Sequence, residues 1–247
     1  MATLDIVIPV LNEERALPRC IETLGAFLAQ SMPRYEWKIV VADNGSTDRT
    51  LEVAQRLAAE RPNDVRCVHL DQRGRGLALR KAWLESDADV VAYMDVDLST
   101  GLDALPTMVD AIVNGGVHLA FGSRLKKGAR IKRSVKREII SRAYNRIIRF
   151  AMWTRFEDAQ CGFKALSRGA AQALIPRVVN NHWFFDTELL VIAERSGFRM
   201  LEVPVTWDED ADTRVKIIKT AVEDLKGLAR LRLRGMPRVT PPAGLRG

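Results

Sequence analysis

The sequence predicts an α/β fold, a doubly wound and mostly parallel sheet, on three observations. Apolar, β-branched runs alternate with stretches of helical periodicity through residues 5–122. The connections between them are short. Polar and acidic residues gather where the runs end, and ligands in such sheets sit at the carboxyl ends of the strands.

Residues 5–10 form a first strand, with Pro9 suited to its end rather than to a central ladder position. Ala16, Cys20, Leu24, Phe27 and Leu28 then recur at helical spacing. A second strand over 37–42 runs into Asp43-Asn44-Gly45-Ser46-Thr47-Asp48, where Gly45 permits a tight turn and Ser46 or Thr47 can cap a helix carrying Leu51, Val53, Ala54 and Leu57. A third strand covers 65–70, and Gly74 and Gly76 open a helix through Trp83. The fourth strand, 90–94, ends in Asp95 and Asp97; a helix over 105–113 and a fifth strand over 117–122 follow. The second half breaks the alternation. Helices are expected over 135–155, up to Leu174, from the 183–190 stretch, and from 213 to about 232, with a late strand over 200–207. Residues 1–235 read as a single domain, and 236–247, rich in Pro and Gly, as a flexible tail.

A chain of 247 residues with 47% hydrophobic content can bury a real core. No apolar run reaches the roughly 18 residues that span a bilayer, and the first residues lack a signal peptide's regions, so a cytoplasmic location is expected. Cys20, Cys67 and Cys161 are odd in number and far apart, which suggests neither a disulfide framework nor a zinc site. The net charge is +7, but it is concentrated. Residues 124–149 carry +10 and 214–238 carry +6, leaving −9 for the remainder. Such patches read as a surface for nucleic acid, an anionic membrane or a phosphorylated substrate.

The pattern pivots on Tyr93-Met94-Asp95-Val96-Asp97-Leu98-Ser99. Two carboxylates one residue apart at a strand end are expensive to desolvate unless a divalent cation sits between them and a phosphate. Mg²⁺ and Mn²⁺ take such hard oxygen donors. The competing reading is a solvated turn in which Asp97 caps the next helix. Convergence of Pro9 to Glu13, Asp43 and 95–99 on one cleft favours the metal. Gly74-Arg75-Gly76 is no dinucleotide fingerprint: it lacks a third glycine and follows the third strand.

Residues 7–14, 40–48, 95–97, 122–124, 158–164 and 185–190, in this order, make the chain resemble a family 2 glycosyltransferase. More narrowly it resembles polyprenyl-phosphate (dolichyl-phosphate) hexose synthases, over about residues 4–235. Asp158-Ala159-Gln160-Cys161-Gly162-Phe163-Lys164, Trp183 with 185–189, and 203–207 place it closer to the glucosyl branch than the mannosyl one. The resemblance implies a GT-A fold, Mg²⁺ or Mn²⁺, a nucleotide-sugar donor (UDP-glucose, with GDP-mannose the alternative) and a polyprenyl phosphate acceptor. Two positions depart from the family pattern. Asn44 stands where a second aspartate is common, and Ser99 where mannosyl relatives often have glutamine. Many relatives carry C-terminal membrane-spanning helices; these residues predict none.

Under this resemblance Asp95 and Asp97 anchor the metal on the donor diphosphate. Asp43 and Glu13, with backbone near Pro9 and Leu11, hold the nucleoside. Arg124 meets a phosphate; Arg133, Lys136 and Arg137 are candidates for the acceptor phosphate. Thr213 and Arg214 match a pair that closes relatives' sites over phosphate. Gln160 contacts a sugar hydroxyl, while Asp158 and Glu188 either orient the sugar or brace the cleft. Asp97, Arg124, Asp158 and Glu188 are thus the candidates for catalysis. The three histidines, His69, His118 and His182, read as structural. The reaction is a single, inverting displacement, and the acceptor phosphate, with a second pKa of about 6, hardly needs a base. The 135–155 helix combines apolar and basic residues as a helix on anionic lipid does, which predicts peripheral attachment to the inner membrane face; it could also serve as an oligomer contact.

A sugar nucleotidyltransferase would share the sheet and the metal carboxylates, but its Gly-rich first loop and lysine are absent from 9–13. A non-enzymatic basic module on membrane or RNA would leave the aspartate pair unexplained, so no nucleic-acid partner is expected.

Overall fold

The computed structural model describes residues 1–132, 134–208 and 217–242, with the backbone alone for 135–137 and 217–221. Arg133, Thr213 and Arg214 therefore lie outside the described residues, as do the side chains of Lys136 and Arg137.

The chain runs β1 (Ala2–Val10), α1 (Ala16–Ser31), β2 (Tyr35–Asn44), α2 (Thr50–Glu60), β3 (Val65–Leu70), α3 (Arg75–Leu84), β4 (Val90–Met94), α4 (Ala104–Val113) and β5 (Leu119–Ser123). Then come β6 (Arg130–Lys132), α5 (Val135–Met152), β7 (Phe163–Ser167), α6 (Arg168–Leu174), a 3₁₀ turn (Ile175–Arg177), α7 (Phe185–Arg195), β8 (Met200–Pro204), β9 (Thr206–Asp208) and α8 (Ile217–Leu233).

Seven strands form one sheet in the order β3-β2-β1-β4-β7-β5-β8. All neighbours are parallel except β7, which is antiparallel to both β4 and β5. Alternate residues along each strand face opposite cores, as the period of two requires. On one face Leu4, Ile6, Ile8, Ile39, Val41 and Ala92 pack with α1, α2 and α4. On the other, Val7, Val40, Val91, Tyr93 and Leu166 pack with α3, α5, α6, α7 and α8. Helices on both faces explain why β4, Val-Val-Ala-Tyr-Met, is buried at every position. Chain order reverses between β1 and β4, so a crevice for ligands is expected where those two strands end.

Besides the short β6, which was not expected, the second half differs from the sequence expectation in three places. The stretch before α6 contains β7, which was expected to be loop running into helix; it carries the buried Lys164 in mid-sheet. The expected strand over 200–207 is two strands, because the chain leaves the main sheet at Val205 and β9 pairs with β6 instead. The expected loose tail is tied down through residue 242. Met236 and Val239 pack on the core, Val239 N–H donates to Ser196 Oγ at 3.1 Å, and the Pro242 carbonyl meets His118 Nε2 at 3.1 Å. Among the described residues, no helix is long and apolar enough to cross a membrane. Cys20 and Cys161 are buried and free, and burial pushes both thiols up to about 12, in keeping with an inert role.

Candidate active site

Three groups of side chains meet around the ends of β1, β2 and β4. The first is built by the β1–α1 and β2–α2 loops. Asn12 adopts φ +57°, a left-handed conformation that asparagine tolerates. Its N–H donates to Ser46 Oγ at 3.0 Å and its Oδ1 accepts Thr47 N–H at 2.8 Å. Glu13 N–H donates to Thr50 Oγ1 at 2.7 Å. Ser46 and Thr47 were expected to cap α2; instead they hold the first loop, and Asp48 Oδ1 accepts Thr50 N–H at 3.0 Å. Asp43 stands at the end of β2 opposite Val10. It is fully buried, its Oδ2 lies 2.7 Å from His69 Nδ1, and its Oδ1 has no hydrogen-bond partner among the described residues. His69, partly exposed, is raised above its ordinary pKa chiefly by that hydrogen bond. Pro9 pairs with Ala42 beside it, and Leu11 follows β1 directly. Asn44 has no metal-binding carboxylate to offer; its Oδ1 accepts Gly74 N–H and so ties the start of α3 to β2.

The second group is the turn after β4. Asp97 is exposed, and its Oδ1 accepts Ser99 N–H at 3.0 Å, so it closes its own turn rather than capping α4, which starts at Ala104. Between them Leu98 sits at φ +51°, an uncommon conformation for leucine. Strain of this kind persists where the surroundings impose it, and it clusters at functional sites. Asp95 is half-buried, and its Oδ1 accepts Arg75 Nη2 at 2.7 Å. A Cβ on Gly162 would lie 1.8 Å from Asp95 Oδ2, so only glycine lets the carboxylate rest there. Gly162→Ala is therefore expected to displace Asp95 and lower the activity of this site by about a hundredfold or more, by analogy with losing one electrostatic group. Full activity in that variant would show that Asp95 need not sit where it is found.

Beneath this turn lies a buried ionic network. Arg75 Nη1 reaches Asp186 Oδ2 at 2.5 Å, and its guanidinium lies over the rings of Tyr93, at 4.9 Å, and Trp183, at 5.3 Å. Lys164, fully buried, is 3.0 Å from Asp186 Oδ1 and donates to the Cys161 carbonyl at 2.7 Å. Tyr93 Oη–H donates to the same Asp186 oxygen. Burial pushes the Asp186 carboxyl up, but Lys164 and Arg75 outweigh it and hold the pKa below the usual value. Arg75 stays charged because Asp95, Tyr93 and Asp186 outweigh its burial. Sequence reasoning missed Arg75 and Lys164. Gly74-Arg75-Gly76 was set aside as a failed fingerprint, although an arginine between two glycines at a strand's carboxyl end was itself a signal.

Arg124 and Asp158 form a second buried pair. Nε and Nη2 of Arg124 donate to Oδ2 and Oδ1 of Asp158 at 2.8 and 2.9 Å, and Trp207 covers the guanidinium at 5.7 Å. Burial opposes the charge, but Arg124 holds Asp158 below its ordinary pKa. Gln160 N–H also donates to Asp158 Oδ1, at 3.1 Å. Asp158 thus ties Arg124 to the start of the 158–164 loop. Arg124 lies near enough to Asp95 to feel its charge.

The third group is farther along the chain. Gln160 Nε2 donates to Asp224 Oδ2 on α8 at 3.0 Å. Asp224 is buried, which pushes its carboxyl up to about 6, and its Oδ1 has no hydrogen-bond partner among the described residues. Glu188 is fully buried; its Oε2 accepts from Arg230 Nη2 at 2.8 Å and from Asn180 N–H at 2.9 Å. It pins α8 to α7, while its Oε1 is buried with no hydrogen-bond partner among the described residues.

Hard oxygen donors for a divalent cation are therefore present in Asp95 and Asp97, in a half-buried and an exposed position at the crevice. Among the described residues there is no cluster of three His, Cys, Asp or Glu that would hold an ion by protein ligands alone.

A family model described as "Glycosyl transferase family 2" matches residues 5–175. The chain is 39% identical over 216 residues to "Glycosyltransferase AglD" of Haloferax volcanii, covering 87% of this chain and 34% of that one. It is 30% identical over 230 residues to "Dolichyl-phosphate beta-glucosyltransferase ALG5C" of Trichomonas vaginalis, with coverages of 88% and 68%. The chain therefore spans about a third of the first of these relatives and about two thirds of the second. A solved structure of glucosyl-3-phosphoglycerate synthase from Mycobacterium tuberculosis with UDP superimposes with a TM-score of 0.70 at 19% identity, over 99% of this chain and 88% of that one, a likeness of fold.

Proposed function

The chain belongs to glycosyl transferase family 2 and is a glycosyltransferase, and from that premise we propose that it moves glucose from UDP-glucose onto a polyprenyl phosphate at the cytoplasmic face of a membrane. The observation that carries the reading is the pair of carboxylates at the end of β4, beside the β1–β4 switch point and the buried Asp43 Oδ1, which has no hydrogen-bond partner among the described residues. Relatives named dolichyl-phosphate beta-glucosyltransferases, at 30% identity and below, support the sugar and the acceptor class.

In this reading Asp95 and Asp97 would hold a divalent cation, which when bound neutralises the diphosphate that leaves. Asp43 Oδ1 accepts a hydrogen bond from the nucleoside; a buried acceptor left unpaired costs about 1–3 kcal/mol, which a ligand donor would recover. Glu13 and the backbone from Pro9 to Leu11 stand beside Asp43 at the same strand ends and would flank the nucleoside. Arg75 supplies positive charge next to Asp95, and stacking on Tyr93 and Trp183 fixes its plane. A phosphate oxygen of the acceptor attacks the anomeric carbon as the bond to the diphosphate oxygen breaks, and configuration inverts. The acceptor arrives already ionised at neutral pH. Catalysis then consists mainly of positioning and of holding two anions together.

The test is transfer of labelled sugar to a short-chain polyprenyl phosphate in detergent, with UDP-glucose or GDP-mannose, each with Mg²⁺, Mn²⁺ or chelator. Lipid product from UDP-glucose that chelator abolishes is the expected result. Product from GDP-mannose alone would overturn the sugar assignment, and no product from either would overturn the acceptor.

A further inference from the structure

Asp224 is a buried carboxylate that the proposed chemistry does not use. It stands on α8 at 1% exposure and makes no ion pair with any described residue. Its Oδ2 accepts Gln160 Nε2 at 3.0 Å, while its Oδ1 has no hydrogen-bond partner among the described residues. A buried carboxylate without a cation is costly to keep ionised. Burial raises its pKa to about 6; Glu223 and Asp186 add to the rise, and Tyr144 and Gln160 oppose it. These groups come from every element around it. Tyr144 lies on α5, where its Oη meets Thr187 Oγ1 of α7 at 3.3 Å; Asp186 is on α7, Gln160 on the 158–164 loop and Glu223 on α8 itself. Arg230, farther along α8, is engaged by Glu188 at 2.8 Å. Carboxylates shifted in this way cluster at functional sites.

The loop that Asp224 touches runs along the crevice. Asp158 at its start is paired with Arg124, and Gly162 leaves room for the Asp95 carboxylate. Gln160 lies between these two points and is partly exposed. The helix that carries Asp224 is held against the same region along its length. Asn180 Nδ2 donates to Glu223 Oε1 at 3.0 Å, and Gly227 lets α8 close on Phe184, whose ring a Cβ there would strike. Phe184 adjoins Trp183, which covers Arg75. Asp224 is therefore fixed in place, and so is the amide it meets. A carboxylate accepts hydrogen bonds and cannot donate them, so it selects one of the two flips of a glutamine amide. The NH₂ group faces Asp224 and the carbonyl oxygen faces away from it.

We propose that Asp224 is a positioning residue of the sugar site: by holding Gln160 Nε2 it makes Gln160 Oε1 the atom offered to the donor, an acceptor for a hexose hydroxyl. The ligand in this inference rests on the glycosyl-transfer reading; the hold of Asp224 on the amide does not. The hold depends on charge. Once Asp224 takes a proton from solvent, its own O–H can donate to Gln160 Oε1 instead. Both flips then become available, and the loop ceases to favour a hydroxyl that donates.

Two measurements on the full chain test this. The first needs no ligand. The side-chain NH₂ signals of Gln160, identified by their loss in Gln160→Ala, are followed by NMR between mildly acidic and mildly basic pH. They should shift with a midpoint near 6 in wild type and stay in place in Asp224→Asn. No shift in wild type, or the same shift in the variant, would overturn the proposal. The second is calorimetric binding of UDP-glucose against UDP, and of GDP-mannose against GDP, with Mg²⁺ and no acceptor. The ratio within each pair isolates the sugar. Asparagine keeps the size of Asp224, removes a buried charge and can pair with either end of the amide. Asp224→Asn should therefore melt no lower than wild type, yet lower the sugar's share of affinity about fivefold, as the loss of one hydrogen bond does. In a Gln160→Ala background the same change should have no effect beyond about twofold, since residues that act through one another are not additive. An equal loss in both backgrounds, or no loss in either, would overturn the proposal. An effect seen with GDP-mannose alone would correct the sugar and uphold Asp224. Should neither pair bind, the proposed function falls, and the Gln160 signal by itself upholds or overturns the hold of Asp224.

Discussion

Asp97→Ala is expected to lower sugar transfer by about a thousandfold or more while the protein melts as wild type does. Asp97 is exposed, and its one described hydrogen bond, to Ser99 N–H, closes a local turn. Removing it costs little packing. Its value is therefore chemical: it is one of two hard donors beside the crevice between β1 and β4. Asp97→Asn separates charge from shape, since it keeps an oxygen for Ser99 N–H but loses the anion. It should be nearly as inactive as alanine, and raising Mn²⁺ should recover part of the activity. Transfer within about threefold of wild type in either variant would remove Asp97 from the mechanism.

Asp186→Ala should be the most damaging single change to stability. Asp186 accepts from Arg75, Lys164 and Tyr93, and Lys164 is fully buried. Without that carboxylate Lys164 keeps the carbonyls of Cys161 and Ala159, at 2.7 and 3.4 Å, but no counter-charge in direct contact. Breaking a buried pair by deleting one partner costs about 3–5 kcal/mol. In a domain of this size each kcal/mol moves the melting temperature by roughly 2–4 °C, so a drop of about 6–20 °C is expected. Calorimetry of the purified variant decides it, and a shift under about 2 °C would mean that the network contributes no net charge pairing. The same network sets an acid limit. Arg124 holds the Asp158 carboxyl, and Lys164 with Arg75 the Asp186 carboxyl, below the usual carboxylate range. A depressed acid stabilises the fold above its unfolded pKa and ceases to do so as pH falls through its folded one. Wild type should therefore hold its stability down to about pH 4 and lose it below that.

The first half of the fold was legible because its strands are short β-branched runs and its turns carry glycine and aspartate. From Asp43 to Asp97 the residues at strand ends are where the parallel sheet puts them. The second half was harder for physical reasons. Phe163-Lys164-Ala165-Leu166-Ser167 has a lysine in its middle, which reads as loop, yet Lys164 is buried against Asp186. Only tertiary pairing across 22 positions explains it, and no local pattern shows that. The loop 158–164 was recognised as a motif, but its bracing work depends on Arg124. Arg75 escaped because its four partners, Tyr93, Asp95, Trp183 and Asp186, are spread over β4, the turn after it and the start of α7. The tail through residue 242 was misjudged because Pro and Gly content describes local stiffness, not the Met236 and Val239 contacts.

The place of β7 in the sheet has a consequence for how the chain is made. β5 shares no ladder with β4; the two are joined only through β7, which the ribosome delivers about forty residues after β5. Until then the emerging chain presents three bare strand edges here, one on β4 and both of β5, and the second edge of β5 waits longer, for β8. At about 5–20 residues per second the wait for β7 lasts roughly 2–8 s. Open edges of apolar strands recruit other strands. Translation speed and chaperone supply between residues 123 and 204 should therefore bear on the yield of native protein.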